Sequence, residues 1–444
     1  MTASAPHSIL PSLSLYEERH SRAATALVRD RLVAAGGWLS FAEFMELALY
    51  APGLGYYSAG SVKLGAGGDF VTAPEVSDLF SRCVARQCAD VLAETGGEIL
   101  ELGAGTGRMA VTILKSLAEI GVLPNRYAIL EVSADLSDRQ RARVQQLPPE
   151  LRERVVWLDR LPETPIRGVM LANEVLDALP FQRFVVREGR AHELGVGLVG
   201  AELGVGLRGS EPRVGLGVAQ PGVEPAAGPN VESAAEPGVG LADTESLARQ
   251  EATAAALAWQ EAPREIAAAT AMLRELPEPL SDGYVSELCL RVEPWISSVA
   301  QCLDQGALLL FDYGLPRAHY YHPQRTDGTL RCYFKQRAHG DPFINIGVQD
   351  ITAWVDFTRV GEAALAAGLE VAGFATQAAF LLGTGIEAMT AEATDVATRA
   401  RLAGEARRLL LPGEMGESFK VMALCRNLQQ PLRGFAYQDL RQSL

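Results

Sequence analysis

Apolar spacing first becomes regular at residues 40–50, SFAEFMELALY, where Phe41, Phe44, Met45, Ala48 and Leu49 fall on one helical face. Ser40 and Glu43 stand at capping-box spacing, which predicts where that helix starts. The stretches that follow, 51–57 and 63–77, are too glycine-rich for regular structure but too apolar and aromatic for a disordered tail, so they predict a loop with a function. From 98 to 180 short apolar runs alternate with helical periodicity. Runs 98–102, 126–132, 155–159 and 168–175 predict strands. Residues 108–121 predict a helix with Met109, Ile113, Leu117 and Ile120 on one stripe, and a second helix begins at Asp135. The pattern resumes late, with strands at 306–314, 369–377 and 419–427 and a helix over 351–368. Strands joined by helical crossovers predict an α/β fold whose parallel sheet is covered on both faces.

Between the two halves lies 194–241, in which LGVGL occurs at 194–198 and again at 203–207. It holds twelve Gly and five Pro and has no aromatic residue, a composition that predicts a flexible insertion with no catalytic role. Helical patterning over 245–303 predicts a cap. The expected organisation is therefore an N-terminal extension (1–90), the first half of a core (91–190), an insertion (191–304), the second half of the core (305–430) and a tail (431–444).

Composition narrows the partners. Forty Lys+Arg against 54 Asp+Glu give a net charge of −14, which disfavours broad binding to a phosphate backbone; no nucleic-acid partner is expected. The six cysteines, at 83, 88, 289, 302, 332 and 425, form neither a dense disulfide framework nor a paired CxxC pattern. No run approaches the ~18–20 apolar residues of a membrane span. The opening segment lacks the basic and apolar regions of a secretory signal, and Glu17 and Glu18 before and beside Arg19 argue against an organellar transit peptide. A cytoplasmic protein without membrane insertion is the expectation.

Cofactor chemistry is concentrated in ILELGAGTGRMA, 99–110, where Gly103, Gly105 and Gly107 alternate between a strand and a helix. Backbone without Cβ atoms turns sharply and admits a ligand, and the helix start presents unpaired N–H groups. A dinucleotide site requires a small residue five places after the first glycine, and Arg108 stands there. An acidic residue two places before the glycines, Glu101, suits instead a nucleoside whose amino-acid end carries an ammonium, namely S-adenosylmethionine; the alternative is a glycine-rich turn chosen for tightness alone. Glu131, ending the second strand, is placed to accept ribose hydroxyls, and Asp159, ending the third, to hold the adenine amino group. No metal site is expected: His319, His322 and His339 lack companions at recognised ligand spacing, and the segment from DYG at 312–314 to 352 reads as a solvent-facing or substrate-contacting loop.

ANEVLDALP, 172–180, follows the fourth strand, beside the point where open sheets of this type bind ligands. Asn173, Glu174 and Asp177 place two carboxylates and an amide in one turn. A guanidinium acceptor would be gripped and polarised by such carboxylates, so these three are the candidate catalytic residues; the alternative is a helix-capping cluster.

Nine ordered segments, among them SFAEFMELALYAPGLGYY, GDFVTAPEVS, LELGAGTGR, ANEVLDALPFQRF, LLLFDYG and GVQDITAWVDFT, resemble the MidA family of class I S-adenosylmethionine-dependent methyltransferases, from about residue 37 to about 427. The resemblance implies a Rossmann-like seven-stranded sheet with its last strand antiparallel and an insertion between strands four and five. It implies that Gly103, Gly105 and Gly107 hold the methionine end of the cofactor and that Glu131 holds the ribose. It also implies that GDFVTAPEVS covers the cofactor, which makes Asp69, Thr72, Glu75 and Ser77 site-lining residues. The family includes the mitochondrial arginine methyltransferase needed for respiratory complex I assembly, so the implied acceptor is an arginine on a partner protein, in that branch the large NADH dehydrogenase subunit. Methylation of a small molecule or another side chain, and a non-catalytic cofactor-binding assembly factor, are the competing readings. The oligomeric state stays open, a homodimer included.

Overall fold

The computed structural model describes residues 10–59, 71–199 and 256–444. Seven strands form the main run of an eight-stranded core sheet: β1 (Glu98–Leu102), β2 (Tyr127–Leu130), β3 (Val155–Leu158), β4 (Ile166–Asn173), β5 (Leu303–Leu315), β6 (Glu370–Thr376) and β7 (Phe419–Arg426), with the two-residue strand Val355–Asp356 pairing in parallel with the end of β5. Their order is β6-β7-β5-β4-β1-β2-β3, parallel except for β7, which runs antiparallel to both β5 and β6. The predicted α/β class and the antiparallel final strand are both present.

Alternation along each strand feeds two cores. Ile99, Ile129, Val169 and Leu309 face one side, packed under the helices Asp78–Thr95, Arg108–Ile120, Gln377–Gly383 and Val396–Leu410. Leu100, Ala128, Met170 and Leu308 face the other, against Val292–Gln301 and Phe357–Ala366. The chain runs outward from β1 through β2 to β3, then returns to β4 on the other side of β1. This reversal leaves a crevice above the carboxyl ends of β1 and β4, where open α/β sheets bind ligands.

Two smaller sheets flank the core. One contains Trp38–Leu39, Gln182–Arg187, Arg190–Val199, Ala256–Glu265 and Val285–Leu288; the other contains Arg331–Phe334, Arg337–His339 and Asp350–Thr352. Leu15–Ala34 and Phe41–Tyr50 pack against them, with Phe41 centroids 5.3 Å from Phe181 and 4.9 Å from Trp259. The helix expected over 40–50 is present, with the Ser40–Glu43 capping box closed in both directions.

Several expectations differ from this architecture. The helical cap over 245–303 is a mixed α/β region in its described part, because Ala256–Glu265 pairs with Arg190–Val199 and Val285–Leu288 pairs with Gln182–Arg187. Residues 194–199 of the expected flexible insertion belong to the strand Arg190–Val199; 200–241 lie outside the described residues. The helix Asp78–Thr95 crosses the expected boundary at 90 and belongs to the core packing. The helix expected from 351 starts at Phe357, since 350–352 and 355–356 are drawn into strands and Asp356 caps the helix by accepting from Arg359 N–H. In the expected tail, Phe435 packs on the cluster beneath β6 and Leu440 N–H donates to Phe374.

Candidate active site

The crevice above β1 and β4 opens into a cleft of about 900 Å3 of empty space, its mouth included. Its floor is the glycine loop. Gly103, Gly105 and Gly107 have φ of 71°, 52° and 78°, a left-handed backbone that side chains disfavour. Gly107 caps the helix Arg108–Ile120, and a Cβ there would meet Gln140 at 3.2 Å.

Gln140 is fully buried and was not signalled by any sequence motif. Its amide donates to Gly105 carbonyl and to Glu131 Oε2, both at 2.9 Å, and its carbonyl accepts from Trp157 at 3.0 Å. It thus ties the glycine loop to the carboxylate at the end of β2. Ser133 N–H donates to the other Glu131 oxygen, which fixes that side chain at the cleft wall. Glu101 lies in the cleft floor with its carboxyl buried and accepting from Tyr127 hydroxyl at 2.7 Å. Burial pushes it up to about 7, against the opposing Tyr127 hydrogen bond.

The 72–77 segment forms the roof. Thr106 hydroxyl donates to Glu75, while Arg108 donates to Glu75 carbonyl at 2.8 Å and to Asp78 at 2.9 Å. The arginine that breaks the dinucleotide pattern is therefore engaged with carboxylates and the roof backbone. Thr72 and Glu75 line the cleft. Ser77 does not: it caps Asp78–Thr95 through Leu79 N–H and donates to Glu405 at 2.6 Å, latching the roof to the helix Val396–Leu410. Asp69 lies outside the described residues. Asp159 is turned away into a separate surface groove with Glu98 and Arg126, because the chain leaving β3 runs directly back to β4 without a helix; the adenine role expected for it finds no support in this geometry.

On the β4 side, Asn173, Glu174, Val175 and Ala178 line the same cleft. Glu174 adopts φ 53°, and burial with the neighbouring Asp177 charge pushes its carboxyl up to about 8. Asn173 amide donates to Glu174 at 3.2 Å, and Asn173 Oδ1 is buried without a partner among the described residues. Asp177 does not line the cleft; it borders a second cavity of about 390 Å3 behind it, accepts from Tyr313 hydroxyl, and is pushed up to about 6 by burial. Residues that sequence reasoning did not single out complete the site. Asp312 is buried beside Asp177, and Tyr50 and Tyr57 line the cleft, with Tyr50 donating to Ala178 carbonyl at 2.8 Å and Tyr57 to Asp350 at 3.0 Å. DYG at 312–314 had marked this segment, without a role.

These groups fit an adenosyl amino acid. Glu101 and the orphaned Asn173 oxygen suit an ammonium, the paired Glu131 oxygens suit a cis-diol, and the loop backbone is bare of Cβ atoms. Residues 83–375 match the family model described as S-adenosyl-L-methionine-dependent methyltransferase. The chain belongs to that family. This methyltransferase is 35% identical to a protein of Burkholderia thailandensis solved with S-adenosyl-homocysteine bound, over 98% of this chain and all of that one, with a TM-score of 0.82. It is 25% identical to the Danio rerio protein named "Protein arginine methyltransferase NDUFAF7, mitochondrial", over 88% of this chain and 84% of the relative. The Homo sapiens protein of the same name is also 25% identical, over 93% and 85%. The resemblance to the MidA family, the enzyme class and the S-adenosylmethionine cofactor therefore hold. The cytoplasmic expectation does not: these relatives are named as mitochondrial proteins, against the reading of Glu17 and Glu18 as excluding an organellar transit peptide. Among the described residues no helix is long and apolar enough to cross a membrane.

Proposed function

We propose that this methyltransferase modifies an arginine side chain of a partner protein. The observation that carries the reading is electrostatic. At the carboxyl ends of β4 and β5 Glu174 faces the cleft, Asp177 and Asp312 are buried behind it, and none of the three forms an ion pair among the described residues. Burial pushes all three upward, with repulsion from neighbouring carboxylates adding at Glu174 and Asp312, so Glu174 holds its proton near neutral pH and a cation brought to it would favour the ionised form. A guanidinium is planar, always charged and able to bind carboxylates through two parallel hydrogen bonds. The Tyr50 and Tyr57 rings, stacked 5.5 Å apart at 22°, supply the flat wall such a group prefers. The names of the Danio rerio and Homo sapiens relatives agree with this acceptor.

When bound, S-adenosylmethionine supplies an electrophilic methyl group. The acceptor nitrogen must lose one proton as it gains that methyl, and Glu174, poised near 8 and facing the cleft, is the group suited to take it on a carboxylate oxygen. Asn173 orients that carboxylate, and the roof held by Thr106 and Arg108 keeps water from the reacting centre. The narrower acceptor, an arginine of the large NADH dehydrogenase subunit, and assembly as a homodimer are extensions of the same proposal. Mass spectrometry of protein from cells lacking the gene tests all but the last: loss of methylarginine at one site supports the reading, and loss of methyl-lysine or methyl-glutamine in its place refutes it. Sedimentation of the purified protein decides the homodimer.

A further inference from the structure

The acceptor reading leaves the end of β5 unexplained. Glu174 is neither glycine nor asparagine, yet it holds φ 53°, a backbone conformation that disfavours its side chain and persists only where its surroundings impose it. Three consecutive residues of β5 supply much of that setting, alongside Ala353 N–H, which donates to Asp177 carbonyl at 3.3 Å, and Tyr50 hydroxyl, which donates to Ala178 carbonyl. Phe311 carbonyl accepts from Glu174 N–H at 2.8 Å. Asp312 Oδ2 accepts from Leu176 N–H at 3.0 Å and Asp177 N–H at 3.3 Å, while Oδ1 is occupied by Tyr313 N–H at 2.9 Å. Tyr313 hydroxyl donates to the Asp177 side chain, and its ring packs edge-on against Phe419 with centroids 5.4 Å apart. A carboxylate buried to 1% exposure and spent on three backbone donors is costly unless the backbone it fixes matters.

Building on the arginine reading, we propose that Asp312 and Tyr313 are positioning residues for methyl transfer: from the end of β5 they clamp the 174–177 turn so that Glu174 keeps its left-handed backbone and its carboxylate faces the acceptor. Neither residue lines the cofactor cleft, so their effect passes through Glu174. Asp312→Asn keeps the shape of the side chain but turns an amide N–H group toward donors. Tyr313→Phe removes one hydroxyl and keeps the contact with Phe419.

The test uses the full chain and three readouts. Amide hydrogen exchange should show Leu176 and Asp177 N–H at least tenfold faster in Asp312→Asn, with the N–H groups of β1 and β4 unchanged. Calorimetry should give S-adenosylhomocysteine affinity within about twofold of the wild type for both variants. The third readout is transfer of tritiated methyl from S-adenosylmethionine to protein extract of gene-deleted cells. Here the maximal rate should fall at least tenfold in Asp312→Asn and severalfold in Tyr313→Phe, with the KM for the methyl donor unchanged, as a misplacement of about 1 Å would produce. Rates within twofold of the wild type despite faster exchange at 176 and 177 would overturn the proposal. So would a parallel loss of rate and S-adenosylhomocysteine affinity, which is the signature of general destabilisation. Hydrolysis of the labelled extract separates the two readings: a labelled residue other than methylarginine refutes the acceptor, while the comparison of variants still decides the clamp.

Discussion

Lowering the pH from 8 to 5.5 protonates Glu101 in the empty cleft and should weaken cofactor binding by a calculable amount. Its carboxyl is raised to about 7 by burial, with Glu131 adding repulsion and Tyr127 opposing it. A raised carboxyl is one whose ionised form is disfavoured in the folded protein. The cost builds between pH 4.5 and 7 and reaches about 3 kcal/mol above 7, so as far as this group is concerned the empty protein is more stable at pH 5 than at pH 8. An ammonium placed beside Glu101 reverses the preference, because it requires the ionised form. Binding below pH 7 must therefore release a proton, and the Kd for S-adenosylhomocysteine should rise about tenfold per unit below 7 and stay level above it. The rise should stop after roughly two units, since the charge-assisted hydrogen bond at stake is worth about 2–3 kcal/mol. Calorimetry in two buffers of different ionisation enthalpy counts the protons: close to one released per ligand at pH 6, none at pH 8.5. Glu101→Gln should bind about 30- to 100-fold more weakly at pH 8 and lose the pH dependence. A Kd constant from pH 5.5 to 8 with no proton released would refute the assignment of Glu101 to the ammonium.

Four other perturbations reach different parts of the site. Gly105→Val should abolish S-adenosylhomocysteine binding, while circular dichroism still reports a folded sheet, because φ 52° and the ligand surface both exclude a branched side chain. Gln140→Leu leaves Gly105 carbonyl and Glu131 without their shared donor, and should lower thermal stability by about 1–3 kcal/mol and weaken adenosine binding more than methionine binding. Arg108→Ala unfastens the roof from the loop and should speed S-adenosylhomocysteine release in stopped-flow displacement, with little change in melting temperature. Glu174→Gln should raise the melting temperature near pH 9 and hardly at all near pH 5, since the cost of a carboxyl raised to about 8 builds from pH 4.5 and is complete only above 8, and it should remove most methyl transfer at every pH.

The cofactor half of the site is legible because it is local. Glu101, Gly103, Gly105 and Gly107 sit within seven residues, and Glu131 follows one crossover later, so spacing alone brings Glu101, Gly103, Gly105 and Glu131 to one cleft, with Gly107 capping the helix beside it. Gln140 is invisible to the same reasoning: a glutamine inside a helix looks like a solvated polar position until the helix is docked. The proposed acceptor half is assembled from Tyr50 and Tyr57, the 173–178 turn, Asp312 and Tyr313, and Asp350, which are distant in sequence. The turn announced itself by packing two carboxylates and an amide together, and DYG marked its segment without a role. Asp177 was paired with Glu174 by proximity in sequence, yet the φ of 53° at Glu174 sends the two carboxylates to different cavities. Asp159 misled for the opposite reason: strand ends after β1 and β2 carry ligand groups, but the chain turns sharply after β3 and takes Asp159 with it. The alanine-rich run after 255 has helical composition, and the pairing partner that makes Ala256–Glu265 a strand lies some sixty residues earlier.

The position of β7 decides when this enzyme can exist at all. β7 threads between β5 and β6, so until Phe419–Arg426 has emerged from the ribosome, the strand carrying Asp312 and Tyr313 is a bare apolar edge with no neighbour on one side. An unpaired edge of that length invites intermolecular pairing. A nascent chain stopped before residue 419 therefore owns every group of the cofactor cleft but should aggregate and not act as a half-enzyme. Chain-terminating lesions anywhere before the codons of β7 would then be as severe as those before the glycine loop.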